Sequence, residues 1–171
     1  MSEASKKTVV MRHKIADYLN VGTEDSPEWV LLGTGVTTLD ESPGAQTESV
    51  KYVNESSSSS SVTGYETSFS YEAEHIVEEK AIDALFMVGR NHYTGSDAEF
   101  EYCRVELWNK SDASGVTANS YEARKFKVSC EVSDYGGENK QTISGNLNAV
   151  GDPVLGTFDI KTKAFTEATA E

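Results

Sequence analysis

The clearest pattern in the chain is a period-two alternation. Tyr65, Thr67, Phe69, Tyr71 and Ala73 fall on one side, and Glu66, Ser68, Ser70, Glu72 and Glu74 on the other. Successive side chains of a strand point to opposite faces, so this segment predicts a β-strand with one dry and one acidic face. The period then lengthens. Ile82, Leu85, Phe86 and Gly89 recur at helical spacing, with Glu78 and Glu79 before them and Arg90 after, as a helix dipole favours. One helix is predicted here, with Gly89 as its C-terminal stop and a single apolar stripe that suits packing across a sheet.

Other segments read as extended. Trp29-Val-Leu-Leu and Val36-Thr-Thr-Leu39 predict a first strand or strand pair, and Thr47 to Val53 carries further β-formers. Glu99 to Trp108 predicts a strand with two mixed faces. Phe126, Val128, Cys130 and Val132 alternate with Lys125, Lys127, Ser129 and Glu131 in a half-buried one. Asp134 to Asn139 reads as a hairpin connection, followed by extended segments at Thr142 to Val150 and Val154 to Phe165. The expectation is six to eight antiparallel strands and one helix. That is a mainly β fold, an antiparallel sandwich or partly open barrel with one flanking α-helix, in a single domain over residues 1–171.

Three stretches fall outside this pattern. Residues 1–20 read as an N-terminal arm and residues 166–171 as a flexible tail. Residues 40–61 read as a long mobile loop, from the breaker run Asp40-Glu41-Ser42-Pro43-Gly44 through Tyr52 and Asn54 to the serines Ser56 to Ser61. Unstructured loops of such length tend to be functional, so this one is the first candidate for a partner-binding element.

Charge narrows the function classes. The 171 residues hold 15 Lys+Arg against 28 Asp+Glu, a net charge of −13. A field of that sign repels a phosphate backbone and disfavours tight nucleic-acid binding, while permitting DNA to pass without sticking. The same balance fits any soluble acidic protein. No apolar run approaches the ~20 residues of a membrane span, and Val9-Val10 is too short for the core of a secretory signal. Cys103 and Cys130 are expected as reduced, half-buried thiols of a protein made in the cytoplasm.

Catalytic signatures are weak. His75-Ile-Val-Glu78-Glu79 lacks the second histidine of a zinc-protease motif, and Gly33-Thr-Gly35 leads into β-formers instead of a helix N-terminus. No cofactor or metal is expected and no enzyme is indicated. An enzyme built on His75 and Glu78/Glu79 would require bound metal. A monomeric sandwich recognising carbohydrate through Tyr65, Tyr71, Tyr93 or Trp108 is a separate reading.

The order of parts resembles the major tail tube proteins of long-tailed bacteriophages: a charged arm, a Trp29-led strand, a long loop ending in Ser56 to Ser61, the strand-to-helix unit from Gly64 to Gly89, then a strand-rich C-terminal half. That resemblance implies hexameric rings stacked into a hollow virion tube. The tube would hold the tape-measure protein, meet initiator and terminator proteins, and pass DNA without sequence-specific binding or membrane insertion. It makes residues 40–61 the loop that ties rings together, Met1 to Asn20 an arm, and Val77 to Gly89 an outer helix whose core face is Ile82, Leu85 and Phe86. Glu66, Glu72 and Glu74 become the candidate channel acids, because alternation places them on one polar face. Tube proteins of contractile injection or type VI secretion machines share this pattern.

Overall fold

In the computed structural model, which describes residues 7–169, eleven strands and one helix follow one another along the chain. They are β1 (Ile15–Asn20), β2 (Trp29–Leu31), β3 (Val36–Ser42), β4 (Ala45–Val50), β5 (Ser59–Tyr65), β6 (Ser68–Glu74), α1 (Lys80–Arg90), β7 (Glu99–Lys110), β8 (Ser120–Gly136), β9 (Thr142–Ala149), β10 (Val154–Asp159) and β11 (Ala164–Glu167). Nine strands form one curled, wholly antiparallel half-barrel in the order β2-β1-β7-β8-β9-β6-β3, with β10 and β11 branching from β8. β4 and β5 pair only with each other, as a separate two-stranded sheet.

Two apolar cores occupy opposite faces of β1, β7 and β8, as alternation along each strand requires. Leu19, Tyr102, Phe126, Val128 and Cys130 join Phe69, Tyr71 and Leu147 under the helix, whose Ala81, Ile82, Leu85 and Val88 are buried against them. The neighbours Tyr18, Cys103 and Ala123 face the other way and pack with Trp29, Val105 and Phe158. The rings of Tyr18 and Phe158 meet at 4.5 Å although β7 and β8 lie between their strands, so the sheet curls sharply toward the β10 end.

Several expectations change. Residues 15–20 are not arm but a central strand whose last four residues are all buried, because Tyr18 and Leu19 feed the two cores. Residues 1–6 of the expected arm lie outside the described residues. The expected tail contributes Thr166 and Glu167 to β11, where they pair with Thr157 and Gly156; residues 170 and 171 are outside the described residues. Strands number eleven instead of six to eight, since the short pieces around Pro43-Gly44 and at the C-terminus each pair separately. Both thiols are buried and free. Burial raises the pKa of each, Cys130 to about 11.

The helix begins at Lys80, three residues later than the expected Val77, because Glu78 adopts a left-handed backbone conformation (φ 74°) that a helix cannot include. It also does not stop at Gly89. His92 (φ 53°) takes the left-handed position, with Tyr93 N–H donating to the Val88 carbonyl and His92 N–H to that of Gly89, the double closure of a Schellman ending. Gly89 serves packing instead: a Cβ there would stand 2.1 Å from the Tyr135 hydroxyl and 2.9 Å from Val132 Cβ. That hydroxyl donates to the Phe86 carbonyl (2.8 Å) and helps clamp α1 to β8. Gly89→Ala should therefore destabilise the fold by about 1–2 kcal/mol, since overpacking outweighs the ~1 kcal/mol gained in helix propensity. Chemical denaturation reads this directly, and an unchanged or raised midpoint would contradict the clamp.

Candidate assembly interface

The segment expected as a mobile loop is an ordered projection. Asp40, Glu41 and Ser42 belong to β3 and pair with Ser70, Phe69 and Ser68 of β6. Pro43 and Gly44 then kink the chain. Gly44 is left-handed (φ 62°), and a Cβ there would fall 2.2 Å from the Glu66 carbonyl oxygen, so the crossing of the two chains needs glycine. Glu66 N–H donates to the Gly44 carbonyl (2.9 Å) and Thr67 Oγ1 to that of Pro43 (3.2 Å), sealing the kink from both sides. Beyond it, β4 and β5 run from Ala45↔Tyr65 to Val50↔Ser59, with one bulge past Gln46. Tyr52, Asn54 and Ser56 lie in the connecting tip, whereas Ser61 pairs with Glu48 inside the hairpin.

Every residue of β4 and β5 is exposed except the half-buried Gly64. Register places Ala45, Thr47, Ser49, Ser60, Val62 and Tyr65 on one face. Val62 and Tyr65 are more than half exposed there, and Val53 at the tip is wholly so. Six residues at about 3.3 Å each carry this hairpin roughly 20 Å beyond the kink. A lone two-stranded hairpin is marginal in water, and its two unpaired edges are templates for another chain.

A second feature lies at the root. β3 ends the main sheet, and no strand among the described residues covers its outer edge. The Leu39 carbonyl there accepts from Arg12 Nη2 (3.0 Å) and Arg104 Nη2 (3.2 Å), guanidinium groups standing where a neighbouring strand would. Arg104 continues to Asp17 (3.1 Å from Nε) and Glu41 (3.3 Å from Nη1), while Arg124 grips both oxygens of Glu41 at 2.7 and 2.8 Å. Arg12 binds the other Asp17 oxygen (2.9 Å), and the Tyr102 hydroxyl donates to Asp17 Oδ1. Burial pushes the Glu41 carboxyl up, but hydrogen bonds and charge from Arg124 and Arg104 outweigh it and hold its pKa below the ordinary value. Glu41 is thus a tie across the seam between β3, β7 and β8 and not a loop residue.

The third feature is a polar sheet face. Glu72 and Glu74 stand opposite Phe69, Tyr71 and Ala73 on β6, and register sets Asp40 and Thr38 on one side of them and Thr142, Ser144 and Asn146 on the other. Glu131 of β8 extends the row, accepting from Asn148 Nδ2 (3.2 Å). Only small hydroxyls, amides and carboxylates occupy these positions. Lys140 meets Glu74 at 3.3 Å. Glu66 does not join this face, because the kink separates it from β6.

Residues raised by the other readings are placed differently. His75 stacks on Phe86 (4.2 Å) and bonds Gln141 through Nδ1 (2.9 Å), and among the described residues no three His, Cys, Asp or Glu groups gather to hold a metal ion. Tyr71 is buried, its hydroxyl donating to the Glu131 carbonyl (3.1 Å), which removes it from any ligand surface. Phe86 is only partly buried, between His75 and Tyr135. The arginine seam was missed because its members are 112 residues apart in sequence, from Arg12 to Arg124, and Arg104 lies in a segment whose two faces both read as mixed. No protein-family model and no curated protein matches the sequence. No helix among the described residues is long and apolar enough to cross a membrane.

Proposed function

We propose that this chain is a structural subunit that closes into rings and stacks into a hollow tube, as in the tails of long-tailed bacteriophages. One observation carries the reading: β4 and β5 form a two-stranded sheet exposed on both faces, which pairs with no other strand among the described residues. A second copy supplies the missing partner. The acidic, hydroxyl-rich face of β3, β6, β9 and β8 then suits a channel lining. Repeated around a ring, its carboxylates would discourage phosphate adsorption within a Debye length of about 8–10 Å. DNA and an extended tape-measure protein could pass through such a bore without binding it, within a virion assembled in the bacterial host. Six copies per ring, and initiator and terminator proteins at the tube ends, follow the same family resemblance. The test is negative-stain electron microscopy with solution mass on concentrated protein. Stacked rings with a central channel are expected, and a monomer at all concentrations overturns the reading.

A further inference from the structure

Arg12 stands in a gap that the backbone leaves open. β2 pairs with β1 only at Tyr18, Leu19 and Asn20, so Ile15 and Ala16 have no strand beside them on that side among the described residues. Between this stretch and the free edge of β3 lies an open cleft of about 950 Å3, lined by Ile15, Leu31, Leu32, Val36 and Leu39 among others. The Arg12 guanidinium spans it. Nη1 donates to the Ile15 carbonyl (3.1 Å) on one side, and Nη2 donates to Asp17 (2.9 Å) and to the Leu39 carbonyl (3.0 Å) on the other. The Leu39 carbonyl is the acceptor that a further strand would take. The two arginines that hold it differ in how firmly they are fixed. Arg104 is 6% exposed and tied to Asp17 and Glu41, whereas Arg12 is 52% exposed and sits on a 3-10 turn of three residues with no buried side chain. Withdrawing Arg12 still leaves Asp17 with Arg104 and the Tyr102 hydroxyl.

A charged side chain laid over an open sheet edge blocks pairing with other chains. Resting on the assembly reading above, we infer that Arg12 is a removable guard: it holds the β3 edge closed in the free chain and swings away when a second copy adds a strand there. Charge selects a second copy as the occupant. From Ala4 to Ala16 the sequence holds Lys6, Lys7, Arg12, His13 and Lys14 and no acid, within a chain of net charge −13. β8 beyond Ser129 is unpaired on the side where β7 has ended, and it carries Glu131 and Asp134. That edge offers both a backbone ladder and carboxylates for the displaced guanidinium. The guard thus opposes association while the chain is alone, and gives up its own acceptor only to a strand that replaces it.

Light scattering against concentration reads the guard. Arg12→Ala, checked for native circular dichroism and melting temperature, should begin to associate at a roughly ten-fold lower concentration than the parent, the scale of one hydrogen bond from a charged donor. Lys14→Ala removes the same charge from a side chain that holds no partner among the described residues, and should associate like the parent. Arg12→Lys keeps the charge without the forked reach, so it should fall between parent and alanine variant, and it decides the matter if the alanine variant loses its fold. Arg12 variants that associate only at the parent's concentration, beside a parent that forms tubes, overturn the guard and leave the assembly reading standing. An equal gain from Lys14→Ala also overturns it, since net charge alone would then set the threshold. A parent and variants that never associate overturn both.

Discussion

Excising residues 45–65 and joining Gly44 to Glu66 through an Asn-Gly turn should leave a folded monomer that no longer assembles. The kink makes the cut feasible. Glu66 N–H already donates to the Gly44 carbonyl at 2.9 Å, so the two ends stand at hydrogen-bonding distance and a two-residue turn can bridge them. No residue of either core lies within the excised segment. Thermal unfolding should therefore stay within a few degrees of the parent, while association falls by 100-fold or more in sedimentation or light scattering. Tubes formed as readily by the shortened chain would remove the hairpin from the interface. A shortened chain that fails to fold would show instead that β4 and β5 support the body, contrary to their exposure.

How much of this was legible beforehand varies with the physics. Phe69, Tyr71 and Ala73 announced a half-buried strand, and Ile82 and Leu85 a helix, because burial on one face writes its period into the sequence. The hairpin left no such period. Its residues face water on both sides, so nothing selects apolar positions, and Ser59 to Ser61 have poor strand propensity. What makes them a strand is the neighbouring β3-β6 ladder, which delivers two chains side by side past the kink. Lys80 as the true helix start was hidden for a similar reason. The left-handed Glu78 is a backbone choice that no side-chain pattern signals.

The seam gives the second large effect. Glu41→Ala removes the carboxylate that both Arg124 and Arg104 share, and leaves a nine-tenths buried guanidinium without half of its compensation. Breaking a buried pair from one side costs about 3 kcal/mol or more, which at this chain length lowers the melting temperature by roughly 6–12 °C. Glu48→Ala, on the exposed hairpin, should stay within ~0.5 kcal/mol. The pH dependence has a definite sign. The folded pKa of Glu41 lies below the ordinary carboxylate value of about 4.3, so its contribution is fully present above that value and fades as pH falls through the depressed one. Denaturation of parent and Glu41→Gln should show a stability gap at pH 7 that narrows by pH 3. A gap that is constant across this range would mean that Glu41 acts by shape and not by charge. Because Glu41 is three residues from Gly44, the seam also sets the direction in which the hairpin leaves the body. Glu41→Gln at pH 7 should thus lower assembly even at temperatures where the monomer is fully folded, and unaltered assembly there would separate the seam from the interface.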